Sequence, residues 1–173
     1  IQNTGKTLKF VFFWGHQPSK DGSITKSCFS QWWVAAFTID GITYKTAEHY
    51  MMAEKARLFD NEEIRQKIIG CKSPAAAKKL GRQVENFNQE VWYAQRYEIV
   101  QKANFHKFSQ NPELKQFLVQ TKKRILVEAS PVDAIWGIGM AEDHDNAHNP
   151  KKWRGENLLG FALMEVRDEL SIL

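Results

Sequence analysis

Residues 130–160, "SPVDAIWGIGMAEDHDNAHNPKKWRGENLLG", set the tightest limit on what this chain can become. The stretch shows neither helical nor strand periodicity, yet it separates an apolar run that reads as a strand from one that reads as a helix. Irregular segments of roughly thirty residues are uncommon inside small domains and are usually functional or disordered. Two tryptophans argue against disorder, and four glycines, three aspartates and two histidines accompany them. A loop of this composition is expected to hold a ligand.

The flanking elements predict an α+β fold. "LKFVFFWG" (8–15) reads as a buried strand, and "CFSQWWVAAFTIDGITYKT" as a strand, an Asp40-Gly41 turn and a second strand. Thr46 is placed to cap the helix "AEHYMMAEKARLF", and Asn61 opens another that stops at Gly70. Ser73 and Pro74 open "PAAAKKL" ahead of Gly81. From "NQEVWYAQRYEIVQKANFHKFSQ" the spacing of Val91, Ala94, Tyr97 (or Glu98), Gln101, Phe105 and Phe108 predicts a long amphipathic helix. A short helix restarts at Asn111-Pro112, "RILVEAS" reads as a strand, and "LGFALMEVRDEL" closes as a helix. Helices with a few strands and no βαβ alternation predict one mostly helical α+β domain over 1–173 with a small β-sheet.

Composition serves mainly to exclude. At 173 residues, with 43% hydrophobic and 25% charged, the chain suits one core. A net charge of +4 suits an anionic ligand, but no basic run is long enough to mark a nucleic-acid arm. Cys28 and Cys71 lie far apart without CxxC spacing, which predicts reduced thiols and an intracellular setting, cytoplasmic or nuclear. No signal-peptide pattern is present and no apolar run approaches the roughly 18 residues of a membrane span, so no membrane partner is expected. Neither G-x-S-x-G nor a Cys-His signature supports hydrolysis through Ser or Cys.

Three groupings can carry chemistry. Glu48 and Lys55 are seven residues apart, which puts them on one helix face. They are either two solvated charges or, given the apolar Tyr50, Met51 and Met52 between them, a partly buried pair with a nucleophilic lysine. Asp133 with Trp136, Gly137 and Gly139 suits a sugar hydroxyl, a stacked ring and a phosphate approaching the backbone. Asn157 precedes the last helix, whose N-terminus it can cap or offer to an anion. Trp32, Trp33 and Trp92 read as core, and Trp14, Trp136 and Trp153 as ligand platforms. His144 and His148 lie among Glu142, Asp143 and Asp145, but the stretch reads as a solvated loop, and no metal or cofactor is expected.

Read together, "FFWG", "FSQWW", "YKTAEHYMMAEKARLF", "SPAAAKKLGR", "ANFHKFSQN", "LVEASPVDAIWGIG" and "WRGENLLGFALMEVR" resemble the NADAR (YbiA-like) family in one order from about Phe12 to Leu170. The resemblance implies an α+β N-glycosidase whose catalytic residues fall on Glu48, Lys55 and Asp133. It implies ligand contacts at Trp14, Gly15, Ser30, Trp92, Trp136, Gly137, Asn157, Leu158 and Gly160. Some members cleave ribosylamino-pyrimidine phosphates of riboflavin biosynthesis; others remove ADP-ribose from the amino group of guanine in DNA. The segment "GHQPSKDGSITKSCFSQWW" departs from the shorter members and turns the expectation toward ADP-ribose or ADP-ribosylated guanine. The alternatives are the riboflavin intermediates or an ADP-ribose-binding module without turnover. Protonation or ring opening weakens such a glycosylamine bond without a Lewis acid, so EDTA is expected to leave turnover unchanged. Activity lost on chelation and restored by one divalent ion would reverse that reading.

Overall fold

A pair of four-residue strands divides the molecule into two layers. The computed structural model describes residues 7–173; the first six residues of the expected 1–173 domain lie outside that range. In chain order the elements are β1 (Phe10–Phe13), β2 (Phe37–Ile39), β3 (Ile42–Tyr44), α1 (Ala47–Leu58), α2 (Glu62–Gly70), α3 (Pro74–Gly81), α4 (Gln89–Ser109), α5 (Pro112–Val119), β4 (Ile125–Glu128) and α6 (Leu158–Leu170). β1 runs parallel to β4 with Phe13 opposite Glu128, and β2 and β3 form the hairpin expected at Asp40-Gly41. The fold is α+β. Among the described residues, no helix is long and apolar enough to cross a membrane.

Strand alternation explains the two layers. Phe13 and Leu126 point to the helical side, where α1 packs on α2, α3 and α4, and α6 packs on α4, α5 and β4. Phe12, Val127 and Ala129 point the other way, onto Ile138, Met140 and Ala147 of the long loop. That loop is irregular but its backbone is paired: Ile138 N donates to Glu128 O (2.9 Å), Arg154 N to Ile138 O (3.0 Å) and Asn157 N to Gly137 O (3.0 Å). Much of its length therefore covers the strand pair, a structural duty that composition did not reveal.

Local signals worked where the partners are local. Thr46 Oγ1 accepts from His49 N at 3.2 Å, and Ser73 Oγ from Ala76 N at 3.1 Å, as expected of caps. Three expectations need correction. The segment from Cys28 to Ala36 is not a strand: Lys26–Phe29 is a 3-10 turn, followed by turn and irregular backbone up to β2. The carbonyls of Cys28 and Ser30 accept instead from the buried Lys107 ammonium, at 2.6 and 2.9 Å. Helix α4 keeps its predicted face only in part: Phe108 is buried and Tyr97 and Phe105 pack against the core. Val91 and Ala94 are exposed, and Trp92, Ile99, Val100, Ala103, Asn104, Lys107 and Phe108 are buried. Two polar residues lie on that inner face because tertiary partners satisfy them, which apolar periodicity cannot register.

Asn157 is the third correction. It occupies the N-cap position of α6 in the left-handed region (φ 53°), and its side chain makes no cap bond. Its Oδ1 accepts from Glu128 N and its Nδ2 donates to Leu126 O, both at 3.0 Å. The amide thus clamps α6 to β4. Gly160, one turn on, allows the approach: a Cβ there would overlap Leu126 O and crowd the Asn157 amide. Gly160→Ala is expected to cost about 2–3 kcal/mol by overpacking, a fall of roughly 5–10 °C in thermal midpoint for a chain of this size. An unchanged midpoint by calorimetry would show that the contact is slack.

Candidate active site

Helix α1 supplies one wall of a cavity of about 240 Å³. Glu48, Met51, Met52 and Lys55 recur at i, i+3, i+4 and i+7, so they share one face and all line it. Lys78 and Arg82 at the C-terminal end of α3 form the rim opposite. Glu128 closes the cavity from the end of β4, Ser30, Gln31 and Trp32 from the loop after the 3-10 turn, and Asp133 and Trp136 from the start of the long loop. The site stands at the carboxyl end of a parallel strand pair, a usual place for ligands in parallel sheets.

Each group is held by backbone chemistry. Glu48 N, one of the free amides of the first turn of α1, donates to Gln31 O at 3.1 Å. Gln31 Oε1 in turn accepts from Asn104 Nδ2 at 2.8 Å, so α4 fixes the loop that carries Trp32. Lys55 Nζ donates to Gly81 O at 2.8 Å and lies 4.8 Å from the Phe87 ring centroid and 6.0 Å from that of Trp92. Asp133 Oδ1 accepts from Ile135 N (2.9 Å) and Trp136 N (2.8 Å), which sets the first turn of the loop and the direction of Trp136. The Lys78 ammonium sits 5.9 Å from the Trp32 ring, and the Arg96 guanidinium at the same distance from Trp136.

Burial controls the charges. Desolvation pushes the Glu48 carboxyl up to about 7, Asp133 adds to the rise, and Lys78 and Lys55 oppose it. Desolvation also pushes Glu128 up to about 8, with Asp133 and then Glu48 adding and Lys78 opposing. The Lys55 ammonium is lowered from its ordinary range, chiefly by desolvation and further by Arg82, against the pull of Glu48. A carboxyl pushed up to about 7 can exchange protons near neutral pH, and a partly desolvated lysine shares the cavity with it.

Sequence reasoning brought Glu48, Lys55, Asp133, Trp136 and Ser30 to one place. It missed Glu128, Lys78, Arg82 and Gln31, and it assigned Trp32 to the core although Trp32 lines the cavity. Trp92 is buried beneath Lys55 in the helical core and does not line the cavity. Trp14 is 58% exposed and borders a second, open cavity of about 520 Å³ with Phe13, Lys26, Ala129, Glu142 and Asp143; neighbouring Gly15 has φ +88°. Gly137 leaves no room for a side chain, since a Cβ there would overlap Glu128 O and crowd Asp133 O. Asn157, Leu158 and Gly160 lie at the β4–α6 junction and do not line the cavity. Trp153 is also structural: its Nε1 donates to Ala147 O at 2.8 Å and its ring meets Phe10. His144 bonds to Asn146 N and Arg154, and His148 stacks edge-on against Phe12. A larger cavity of about 350 Å³ lies on the other face of α1 beside Tyr50, Glu54 and Arg57. Its Glu54 is already paired with Arg57, so the reactive groups converge in the smaller one.

A raised carboxyl makes a stability prediction whose sign is fixed. The folded chain holds the Glu48 proton more tightly than the unfolded chain, whose value is near 4.5. Stability contributed here is greatest below 4.5 and falls as pH rises through 7. The ionised carboxylate then costs at most about 3 kcal/mol. Glu48→Gln is expected to raise the thermal midpoint at pH 8 by several degrees and to lose that advantage below pH 4.5. A gain independent of pH would place Glu48 in contact with solvent.

The NADAR domain model matches residues 12–171. An N-glycosidase of Acanthamoeba polyphaga mimivirus is 41% identical over 169 residues, 95% of this chain and 98% of that protein. The N-glycosidase YbiA of Escherichia coli is 34% identical over 146 residues, 84% of this chain and 81% of YbiA. The NMR structure of YbiA superposes with a TM-score of 0.75 at 30% identity, covering 96% of this chain and 88% of that one. A riboflavin biosynthesis protein of Vibrio vulnificus is 33% identical over 135 residues, 78% of this chain but 33% of that protein. Its matched residues, its fold and the full-length correspondence with N-glycosidases make this chain a member of the NADAR family.

Proposed function

We propose that this protein is an N-glycosidase that releases ADP-ribose from the exocyclic amino group of guanine in nucleic acid. The observation that carries the reaction class is the convergence of Glu48, Lys55 and Asp133 in one partly desolvated cavity with Lys78 and Arg82 at its rim. Carboxyls supply proton transfer to a glycosylamine, the two cations suit a phosphate, and Trp32 and Trp136 offer rings to a base or sugar face. Ring opening of the ribose, with Glu48 giving its proton to the ring oxygen, converts C1 to an iminium. Lys55 Nζ adds to C1, the amino group of the base departs, and water then displaces Lys55 to leave the free aldehyde, which recloses. Lys55 is suited to this because desolvation favours its neutral, nucleophilic form.

The choice of ADP-ribose rests on room beyond the reaction cavity. About 240 Å³ lies below the roughly 300–1,000 Å³ of pockets that enclose drug-sized ligands, so it suits a ribosyl phosphate end alone. The cavity beside Trp14 borders the same strand ends, with Phe13 opposite Glu128 in the ladder and Ala129 next along the chain. It offers an exposed ring to the adenosine half. The small size of the reaction cavity also favours a second reading, a ribosylamino-pyrimidine phosphate, which would fill it without using Trp14; the name of the Vibrio relative points the same way. Incubation with a guanine-ADP-ribosylated oligonucleotide and with ribosylamino-pyrimidine phosphates, followed by mass spectrometry, separates the two. Release of the pyrimidine but not of ADP-ribose would favour the second reading, and release of neither would overturn both.

Lys55 decides the route. Lys55→Arg keeps the positive charge but cannot add to C1, so turnover should fall below detection. Borohydride supplied with substrate should trap the wild-type protein on the peptide that contains Lys55. An active arginine variant with no adduct would transfer the chemistry to water oriented by Glu48 and Asp133, as carboxylates do in other glycosidases. Trp136→Ala should weaken ADP-ribose binding by roughly 5- to 150-fold, the value of about 1–3 kcal/mol of ring stacking, with a smaller effect on the bound reaction. An unchanged dissociation constant would make Trp136 a packing residue.

A further inference from the structure

The N-glycosidase reading leaves one proton unassigned. When the C1–N bond breaks, the electron pair goes to nitrogen, and the departing amine needs a proton. We propose that Glu128 is the acid that delivers it. This inference rests on the reading above, and the structure singles out Glu128 by three observations. Glu128 lines the reaction cavity with Lys55 and Glu48. Its Oε2 is buried and has no hydrogen-bond partner among the described residues. Its backbone is pinned on both sides, with N bonded to Asn157 Oδ1 and O to Ile138 N, so the side chain is presented from a fixed strand end.

A buried carboxylate oxygen without a donor is costly, and protonation removes that cost. A carboxyl kept neutral in a cavity can give its proton to a ligand atom that enters. The surrounding charged groups are Glu48 and Lys55 from α1, Lys78 and Arg82 from the end of α3, and Asp133 from the loop. Burial, Asp133 and Glu48 all hold the proton on Glu128 up to about 8, against Lys78. The two neighbouring carboxyls are less suited. Asp133 has Oδ1 committed to two backbone amides. Glu48 has already given its proton to the ring oxygen, and Lys78 and Lys55 then favour its charged form. The proton balance closes: Glu128 loses its proton to the amine, water delivers hydroxyl oxygen to C1, and the remaining water proton returns to Glu128 through the site.

The test uses the dependence on leaving group. Ribosyl phosphates of anilines graded from electron-rich to strongly electron-poor are cleaved by the wild-type protein and by Glu128→Gln, which preserves shape. The expected result is a fall in kcat of roughly 10²-fold or more for the electron-rich amines, shrinking as the amine becomes a better leaving group, with KM little changed. Wild-type kcat on the poorest leaving group should also show an alkaline limb near 8, beyond the one near 7 that Glu48 gives on every amine, and this second limb should fade for the best leaving group. The pH limb needs no variant and stands even if Glu128→Gln folds poorly. An equal loss across the series together with the same limb near 8 for every amine would overturn the assignment and make Glu128 structural. So would an undiminished kcat in a folded Glu128→Gln protein. A wild-type protein that releases no amine from any N-ribosyl substrate, including the ADP-ribosylated oligonucleotide, would instead overturn the N-glycosidase reading, and the role of Glu128 with it.

Discussion

The clamp between Asn157 and β4 is the contact on which the site depends. A single side-chain amide meets the N–H of Glu128 and the carbonyl of Leu126, and Gly160 lets α6 come close enough for this to occur. Without it, two backbone groups at the edge of a buried strand would lack partners, at about 1–3 kcal/mol each. The clamp joins the end of the long loop to the residue at which that loop begins. It therefore fixes the strand end that carries Glu128 and the return of the loop segment that carries Asp133 and Trp136. Precision at the cavity comes from a contact whose own residues do not line it.

The same layout explains why the site is costly. Glu48, Glu128 and Asp133 converge on a cavity that helix packing has largely dried, so two of the three carboxyls hold their protons to near or above neutrality. A fold optimised only for stability would place amides or apolar groups there. Lys107 is a contrasting case. It is also fully buried, and desolvation lowers it to about 8, yet its ammonium meets two carbonyls and stabilises the loop that carries Trp32. Buried charge alone does not mark a catalytic group; a buried, unpartnered polar atom on a residue that lines a cavity is the more specific sign.

What the sequence revealed follows the range of the interactions involved. Thr46, Ser73 and the Asp40-Gly41 turn act on neighbours within a few residues, and each was legible. Glu48 and Lys55 were legible as a pair because helical spacing alone puts them on one face. The inner face of α4 was legible only in part, because Asn104 and Lys107 are inward for the sake of residues more than seventy positions away. Glu128 escaped notice for a related reason. In "RILVEAS" it reads as the polar end of a strand, and only the parallel pairing with β1 and the approach of α1 turn that end into a cavity wall. Asn157 was read as a cap, since an asparagine before a helix suggests one, and its actual partners belong to another element.

The long loop, which looked like a ligand clasp, divides its work. Its middle supplies Ile138, Met140 and Ala147 to the outer face of the strand pair, a face that two short strands could not leave to water. Only its first turn, set by Asp133 Oδ1, reaches the reaction cavity. Glu142 and Asp143 from its middle border the open cavity of Trp14, on the other side of the strand ends. A segment built this way can bring Asp133 and Trp136 to one cavity and Glu142 and Asp143 to the other because the strand pair is too narrow to separate them. The narrowness of the sheet is thus what would allow a ligand longer than the cavity to lie across its carboxyl end.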